Sequence, residues 1–486
     1  MTLGLEQPPI TSDGRWLRDQ TGRIVIMQGI FEGHKPLGLG PDDEEFADPD
    51  YAKRLRDSGI NVTRMAYQWA GIEPEPGVFD QERIDRYRTM IERLSAEGIF
   101  TIIDSHQDMY GIRYGGNGFP DWATIDNGVP FPTDLGFPAN YFQPATSHAF
   151  DNLWLNTDGI LDAYADQLAV MASHFTADPY VLGYDLMNEP WAGSQYATCF
   201  KLEGCPQFDI AVLQPSMDLF ARAVRSVDPD AIVFYEPQFT FDGGAKTWLG
   251  RPPEDVGPAA FSWHDLCISR ALRQVFSSEE LGDLLEQSCD AFHTQVYINA
   301  FEASVRMGVP PFMTEVLPAN ESDTGAMDCL LQRAEDNKMN WTAGTIGRYP
   351  ELNDDNNVIA LARVFPRAIA GEPLAYHFDV STGTFTFTYR PDHEIAAPTL
   401  IGVPINVHYP NGYEVVVENG EVISPPNVVH LLIAAQTGAE QVGVTLQPAG
   451  DDSTVERPDF GSCDKPTDPI FDTYSDVAGA LPVLSP

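Results

Sequence analysis

VLGYDLMNEPW, residues 181–191, is the stretch that indicates the fold of this chain most clearly. Its apolar residues lead directly into Asn188-Glu189-Pro190, so polar side chains follow at the end of a predicted strand. The apolar part lacks alternation, which is typical of a strand buried on both faces. Seven further runs of this kind occur, at residues 24–29, 60–67, 99–106, 231–236, 260–265, 311–316 and 340–346.

Longer amphipathic segments separate these runs. Residues 81–97 carry apolar side chains at helical spacing before Gly98, and residues 159–175 repeat this pattern. Eight buried strands that alternate with helices predict an α/β fold, a (β/α)8 TIM barrel. A doubly wound parallel sheet is the alternative.

The pattern changes in the last quarter of the chain. Residues 384–389 (TFTFTY) and 413–423 alternate between the two faces of a strand, and further β-rich runs lie at 428–435 and 441–448. Asn419-Gly420 predicts a hairpin turn within 413–423. These patterns predict a C-terminal β-sandwich at about 370–450. The predicted domains are a catalytic barrel, residues 1–370, and a β-sandwich domain, residues 371–486.

Composition excludes several classes of protein. The 486 residues include 71 acidic and 29 basic side chains, a net charge of −42, which disfavours binding to nucleic acid and to anionic membranes. No apolar run approaches the roughly 18 residues of a membrane span. The N-terminus shows no signal-peptide pattern. Cys199 and Cys205 are close enough to form a small loop, and Cys267 and Cys289 flank a second one. At least one disulfide is expected, which favours a secreted or extracytoplasmic protein.

Carboxylates dominate the predicted strand ends. In a barrel these ends point into one mouth, and two facing carboxylates suit glycoside hydrolysis. Glu189 and Glu315 follow predicted strands 4 and 7, and Arg64 beside one of them would keep it ionised as a nucleophile requires. Glu236 is the rival nucleophile, because it too ends a strand and precedes a proline. The sequence shows neither a Ser–His nucleophile elbow nor a Gly-rich phosphate loop.

Four motifs as a set resemble glycoside hydrolase family 5 of the retaining (β/α)8 hydrolases. They are NVTRMAYQW (61–69), DSHQDMYG (104–111), YDLMNEPW (184–191) and FMTEV (312–316). Further stretches are similar to the endoglycoceramidases of that family, which cleave the bond between the glycan and the ceramide of glycosphingolipids. These stretches are QGIFEGHKPL (28–37), GFPDWAT (118–124), CFKLEGC (199–205), FPRAIAG (365–371) and HYPNGYEV (408–415).

This resemblance implies a role for each matching residue. Glu189 corresponds to the acid/base and Glu315 to the nucleophile of a retaining endo-β-glycosidase. Asn188 matches the residue that holds the sugar 2-hydroxyl, and Arg64 the positive neighbour of the nucleophile. The remaining positions match the wall of the glycan site and its mouth: Lys35, His106, Asp108, Trp122, His264 and Trp341. His106 and His264 could instead be core histidines that hydrogen-bond the backbone.

Two positions depart from the family pattern. Leu266 stands where the family has Tyr, two residues after the strand-6 histidine. Gly344 stands where the family has a second Trp, three residues after Trp341, so an aromatic floor under the sugar is predicted to be missing there. We expect a more open floor and a preference for β-galactosyl–ceramide linkages, as in the endogalactosylceramidases.

The expected substrate is a glycosphingolipid, which offers both a glycan headgroup and a ceramide. Two apolar segments, 128–155 and 271–286, could line a lipid groove and make peripheral contact with lipid assemblies, or could simply pack on the barrel. A monomer without metal or organic cofactor is expected, because two carboxylates suffice for the reaction. The alternatives are a glucanase-like polysaccharide endoglycosidase and a non-catalytic carbohydrate-binding barrel.

Overall fold

The N-terminus of the computed structural model forms three short antiparallel strands, β1 (Thr11–Asp13), β2 (Trp16–Arg18) and β3 (Ile24–Val25). The structure describes residues 5–266, 289–317, 324–344, 356–450 and 457. After β3 come the eight strands of a closed barrel: β4 (Gln28–Glu32), β5 (Val62–Tyr67), β6 (Phe100–Ser105), β7 (Val181–Asp185), β8 (Ile232–Tyr235), β9 (Ala259–Leu266), β10 (Pro311–Leu317) and β11 (Asn340–Ala343).

All eight barrel strands pair in parallel, and β11 closes the ring against β4. Every residue of β5 and β6 is buried, because the barrel interior covers one face and the helices cover the other. The apolar runs therefore become the barrel strands, and the predicted TIM barrel is confirmed.

Helices surround this barrel. The predicted helices at 81–97 and 159–175 are confirmed as Gln81–Ala96 and Ile160–Ser173. At the first of them Asp80 accepts a hydrogen bond from the Arg83 N–H, an N-cap that satisfies one free donor. In chain order the α-helices are α1 (Glu44–Ala47), α2 (Tyr51–Asp57), α3 (Trp69–Ile72), α4 (Gln81–Ala96), α5 (Pro144–Trp154), α6 (Ile160–Ser173), α7 (Tyr196–Cys199), α8 (Pro206–Phe208), α9 (Gln214–Arg225), α10 (Cys289–Met307), α11 (Thr324–Asp336), α12 (Asn356–Leu361) and α13 (Ile405–His408).

Two antiparallel sheets form the β-sandwich, which confirms that part of the predicted fold. Its strands are β12 (Phe365–Ile369), β13 (Gly371–Asp379), β14 (Thr384–Pro391), β15 (Thr399–Gly402), β16 (Tyr413–Glu418), β17 (Gly420–Val422), β18 (His430–Ala435) and β19 (Val442–Pro448). One sheet has the order β1-β2-β3-β12-β15-β18-β17 and the other β13-β14-β19-β16. The N-terminal strands thus belong to the sandwich, although the sequence division at residue 370 assigned them to the barrel.

The predicted hairpin at Asn419-Gly420 is wrong. β16 pairs with β19 in one sheet, whereas β17 pairs with β18 in the other. A single residue, Asn419, separates the two strands, and its φ of 57° is a left-handed conformation that asparagine tolerates. The turn therefore carries the chain from one sheet to the next.

Buried ion pairs join the sandwich to the barrel. Arg363, just before β12, binds Asp328 and Glu335 of α11 and donates to the carbonyl of Phe378 in β13. Arg367 in β12 binds Glu6 at 2.7 Å. Burying a charged side chain costs free energy unless partners replace the hydrogen bonds that it made with water. The two domains therefore share a polar interface.

Cys199 and Cys205 form a disulfide, as their spacing suggested. Cys267 lies outside the described residues, so the second cysteine loop stays a prediction. Within the described ranges, no helix combines the length and the apolar character that crossing a membrane requires.

Candidate active site

Arg64 of β5 lies at the centre of the barrel mouth, fully buried. Its guanidinium group contacts four carboxylates, each from a different strand or strand end. They are Asp104 at 3.2 Å, Asp185 at 3.0 Å, Glu236 at 3.4 Å and Glu315 at 3.3 Å. Because these residues lie at or near the carboxyl ends of parallel strands, the barrel brings them together although they are distant in sequence.

Arg64 orients two of the predicted site residues. Its Nη1 donates to Oε2 of Glu315, and its Nη2 donates to Oδ1 of Asn188 at 3.0 Å. A hydrogen bond from a guanidinium to a carboxylate is assisted by charge, and this one fixes the orientation of the Glu315 side chain. The predicted pairing of Arg64 with Glu315 is thus present in the structure.

Glu189 is held through its backbone. Its N–H donates to Oε1 of Glu236 at 2.6 Å, and its carbonyl accepts from Nε2 of Gln107 at 2.9 Å. The φ of Glu189 is 44°, a left-handed value that is uncommon for a residue with a side chain. The two flanking hydrogen bonds hold this conformation, which aims the carboxyl group into the mouth.

The side chain of Glu189 is suited to hold a proton. Burial raises its pKa to about 8, and the negative charge of Asp108 adds to this effect. Its Oε1 lies 3.2 Å from Nδ1 of His264. Burial lowers the pKa of His264 to about 3, so this imidazole is neutral near pH 7. Glu189 is therefore mostly a protonated acid at neutral pH, next to an uncharged partner.

Glu236, the rival nucleophile, occupies a different position. Burial raises its pKa well above the ordinary value, and Asp185 raises it further. Its two oxygens contact the Glu189 N–H and the Arg64 guanidinium. A carboxyl group whose two oxygens are held by the backbone of Glu189 and by Arg64 is poorly placed to attack a sugar. The arrangement favours Glu315 for that role.

The glycan-wall residues form a second charged group. Nζ of Lys35 lies 2.6 Å from Oδ2 of Asp108, and Nδ1 of His106 lies 2.8 Å from Oδ2 of Asp104. Burial and Lys35 oppose protonation of His106, but Asp104 and Asp108 leave its pKa raised. His106 and His264 are thus both buried in the mouth and bonded to side chains rather than to backbone.

Gly344 lies directly against Glu315. A Cβ atom at position 344 would be 2.8 Å from Cγ of Glu315, closer than real Cβ atoms approach other atoms. The Gly344 N–H also donates to the carbonyl of Val316 at 3.0 Å. The glycine thus makes room for the side chain of Glu315. The sequence predicts only a missing aromatic ring at this position and does not indicate this contact.

Trp341 belongs to β11, the eighth strand of the barrel. It is fully buried in the large core cluster, together with Met313, its neighbour on β10. Its role towards the sugar stays a prediction.

Trp122 lies in a short 3-10 turn after β6, Asp121–Ala123. Its indole N–H donates to the carbonyl of Glu73 at 3.0 Å, and its ring packs edge-on against Trp69 at 5.0 Å. These contacts fix the ring at the barrel, and its role towards the sugar stays a prediction.

Four site residues were not predicted from the sequence. Asp104, Asp185 and Ser262 line the inside below the mouth, and Asp242 lies 3.9 Å from His264. An ionisable residue inside an otherwise apolar buried strand, as in IIDS and YDLM, is rare without a partner and was the available signal. Glu189, Asp242 and His264 also place three ligand-type atoms within 4.8 Å of one another, close enough to hold a cation.

The aromatic insertion at 128–155 packs on the barrel. Tyr141 and Phe150 are fully buried, and the other predicted aromatics, Phe131, Phe137, Phe142 and Trp154, are partly buried against the same core. The aromatic side chains of this insertion thus pack as the structural alternative expects. Exposed apolar side chains nearby include Leu135 and Leu155, in the insertion, and Phe200 and Leu202, in the disulfide loop. Segment 271–286 lies outside the described residues.

Comparison with known proteins agrees with this geometry. The family described as cellulase (glycosyl hydrolase family 5) matches residues 30–348, and the family 5 C-terminal domain matches residues 363–446. Endoglycoceramidase I of Rhodococcus hoagii (strain 103S) is 30% identical over 484 residues, which cover 97% of this chain and 94% of that protein.

Solved structures show the same likeness. Endo-glycoceramidase II from Rhodococcus sp., bound to a cellobiose-like imidazole, has a TM-score of 0.72 and 27% identity, covering 90% of this chain and 100% of that chain. Its lactosyl-enzyme intermediate and its ganglioside GM3 complex, both 26% identical, have TM-scores of 0.71 and 0.70. An endogalactoceramidase, at 20% identity and a TM-score of 0.63 over 90% of this chain and 99% of that one, shares the fold. The chain therefore belongs to glycosyl hydrolase family 5 and is a glycoside hydrolase related along most of its length to the endoglycoceramidases.

Proposed function

We propose that this enzyme hydrolyses the bond between the glycan and the ceramide of glycosphingolipids with retention of anomeric configuration. The observation that carries the proposal is the pair of unlike carboxyl groups in the mouth. Glu189 holds a proton beside a neutral histidine, whereas Glu315 is bonded to Arg64. The relatedness to endoglycoceramidases, among them one solved as a lactosyl-enzyme intermediate and with ganglioside GM3, supports the substrate class and a covalent intermediate.

The reaction proceeds in two displacements. An oxygen of Glu315 attacks the anomeric carbon while the bond from that carbon to the ceramide oxygen breaks, and Glu189 gives its proton to the departing oxygen. Glu189, now ionised, takes a proton from water as the water oxygen attacks the same carbon. As this bond to water forms, the bond from the carbon to Glu315 breaks, which releases the glycan and leaves Glu315 as a carboxylate. Asn188, fixed by Arg64, keeps an amide N–H for the sugar 2-hydroxyl.

Product analysis tests this proposal. Purified enzyme is incubated with lactosylceramide in detergent, and released lactose and ceramide are quantified for the wild type, Glu189→Gln and Glu315→Ala. We expect both products in equal amounts from the wild type only. Azide should restore turnover of an activated aryl glycoside by Glu315→Ala and give the glycosyl azide of inverted configuration.

Two results would contradict the assignment. Hydrolysis that survives both substitutions would remove the two glutamates from the reaction. Brisk cleavage of a soluble β-glucan with no release of lactose from the lipid would favour a polysaccharide endoglycosidase instead.

We further propose a preference for β-galactosyl–ceramide linkages. Gly344 supports this, because no side chain extends from this position, just after the eighth barrel strand, into the mouth beside Glu315. An axial hydroxyl group would find room that an aromatic ring would occupy. Rapid cleavage of lactosylceramide together with inert oligogalactosylceramide would contradict this preference.

We propose that exposed apolar side chains make the peripheral contact with lipid. Phe200 and Leu202 are 58% and 61% exposed, and the disulfide Cys199–Cys205 closes the loop that carries them. Apolar contact suits a chain of net charge −42, which anionic lipids would repel.

The double substitution Phe200→Asp/Leu202→Asp should slow cleavage of vesicle-embedded lipid at least tenfold and leave hydrolysis of soluble aryl glycosides unchanged. Val416→Asp, at an equally exposed position on the sandwich, serves as the control. Equal losses on both substrates would assign the loop a purely structural role.

We also propose a secreted or extracytoplasmic monomer. The disulfide supports an oxidising location, since cytosolic thiols are kept reduced. Light scattering of the purified protein and fractionation of the producing cells test the two parts separately. A stable dimer, or activity confined to the cytosol, would contradict them.

A further inference from the structure

A second group of ionisable residues lies beside the mouth, outside the catalytic cluster. His34 follows β4, and Asp43 and Glu45 lie at the other end of the same loop and in α1. One ligand-type atom from each of the three residues lies within 4.8 Å of the other two. Glu32, the last residue of β4, contacts His34 from the barrel side.

The imidazole of His34 lies between carboxylates. Its Nε2 is 3.2 Å from Oε2 of Glu32, and its Nδ1 is 3.8 Å from Oδ2 of Asp43. The shorter contact is a hydrogen bond, which places a proton on Nε2. The longer contact exceeds hydrogen-bond distance, but it fits two ligands of one metal ion at about 2.0–2.2 Å each.

The Glu32 carboxyl group is an independent indication. Its side chain is only 4% exposed, and its Oε1 is buried without a hydrogen-bond partner. Buried carboxylates normally have partners for both oxygens. Other buried carboxylates of this chain do meet an arginine, as Asp185 does at Arg64 and Glu335 at Arg363. Among the described residues, no lysine or arginine forms an ion pair with Glu32, Asp43 or Glu45.

We propose that His34, Asp43 and Glu45 bind a divalent transition-metal ion, with Zn²⁺ as the preferred species. Nδ1 of His34 and one oxygen from each acidic residue supply three ligands, and water completes a tetrahedron. Glu32 accepts the proton of Nε2, the carboxylate–histidine–metal arrangement that fixes the tautomer of a ligating histidine. A mixed nitrogen and oxygen donor set favours Zn²⁺ over Ca²⁺, which prefers six to eight oxygens.

The role of this ion is structural. It ties the two ends of the loop 33–43 together, and Lys35 in that loop reaches Asp108 at 2.6 Å. The ion therefore fixes the part of the glycan wall that Lys35 forms. It takes no part in bond cleavage, so this inference stands independently of the proposed reaction.

Calorimetric titration of chelator-treated, desalted enzyme with ZnCl₂ tests the site. We compare the wild type with Asp43→Asn/Glu45→Gln and with Asp42→Asn/Glu75→Gln, a control with the same charge change at residues outside the group. The wild type and the control should bind one Zn²⁺ that the first variant binds at least tenfold more weakly. Saturating Zn²⁺ should raise the melting temperature of the wild type and the control by several degrees more than that of the first variant.

Three outcomes would overturn the proposal. One is a wild type that binds no Zn²⁺. Another is a variant Asp43→Asn/Glu45→Gln that binds as the wild type does, which would move the ion to another group such as Glu189, Asp242 and His264. Tighter binding of Ca²⁺ than of Zn²⁺ would exclude an imidazole ligand.

Discussion

Two buried arginines each gather carboxylates, one in the barrel mouth and one where the barrel meets the sandwich. Arg64 contacts four carboxylates, from Asp104, Asp185, Glu236 and Glu315. Arg363 contacts two, from Asp328 and Glu335, and gives its other hydrogens to the carbonyls of Ala360 and Phe378. Both guanidinium groups are fully buried.

The difference lies in the number of carboxylates for each cation. At Arg363 two carboxylates and two carbonyls accept hydrogen bonds, and the group joins α11 to β13. At Arg64 four carboxylates surround one guanidinium. Burial raises the pKa of Asp185 to about 6, with Asp104 adding to the effect, and raises that of Glu236 well above its ordinary value. The Arg363 cluster stabilises the fold, whereas the Arg64 cluster raises pKa values in the way that is typical of functional sites.

The largest effect should come from the nucleophile in the Arg64 cluster. Glu315→Gln keeps the shape of the side chain but removes the attacking oxygen, so kcat on a soluble aryl β-glycoside should fall about 10⁴-fold or more. The melting temperature should change by only a few degrees. Glu335→Gln is the matched control in the other cluster, and it should keep kcat while it lowers stability. If the two variants exchanged these effects, the comparison would fail.

Removing the cation of the Arg363 cluster should act on stability instead. Arg363→Met leaves Asp328 and Glu335 buried without a positive partner, which should cost about 3–5 kcal/mol of unfolding free energy. Urea denaturation measures this loss. The kcat at 20 °C should stay within about threefold of the wild type, because the site is built on other strands. A collapse of kcat at unchanged stability would show that Arg363 supports the chemistry.

Gly344→Ala should have an intermediate effect. The added methyl group would come within 2.8 Å of Cγ of Glu315 and force that carboxylate to move. A displaced nucleophile should lower kcat by about 10- to 100-fold. Gly250→Ala is the control, because a Cβ there would meet its nearest neighbour only at 4.0 Å. Equal activity of both variants would mean that Glu315 moves freely.

The pH profile should show the smallest change. Glu189 acts as an acid only while protonated, so kcat/KM should fall as the pH rises through about 8. Asp108→Asn removes a negative charge that raises this pKa, and the alkaline limb should therefore move to lower pH. The exposed substitution Asp42→Asn should leave the limb in place. A shift to higher pH would mean that Lys35, once released from Asp108, moves away from Glu189 and no longer lowers its pKa.

The barrel could be predicted because strands covered on both faces are mostly apolar and lack alternation, and this signal is local. Strand ends then meet in one mouth, which explains why Arg64, Asn188, Glu189 and Glu315 come together as expected. The alternating β-rich runs in the last quarter of the chain predicted the sandwich in the same local way.

What the sequence did not indicate depends on long-range pairing. The resemblance placed Trp341 at the mouth, but its full burial in the core cluster depends on neighbours from other strands that the sequence does not reveal. Asn419 resembles a hairpin residue locally, and only the partners β19 and β18 reveal a change of sheet. The hydrogen bond from the Glu189 N–H to Glu236 joins two residues that lie 47 positions apart in sequence. It depends on the register of the strands that precede them.

The N-terminal strands have a consequence for synthesis. β3 ends at Val25, but its sheet partner β12 begins only at Phe365. On the ribosome, the first strands emerge long before the rest of their sheet exists. Until then, the edge of β3 and the apolar side chains of Ile24 and Trp16 lack their final cover. The earliest part of the chain to be made is therefore among the last to be completed, and a chaperone that shields it during elongation should raise the yield of folded enzyme.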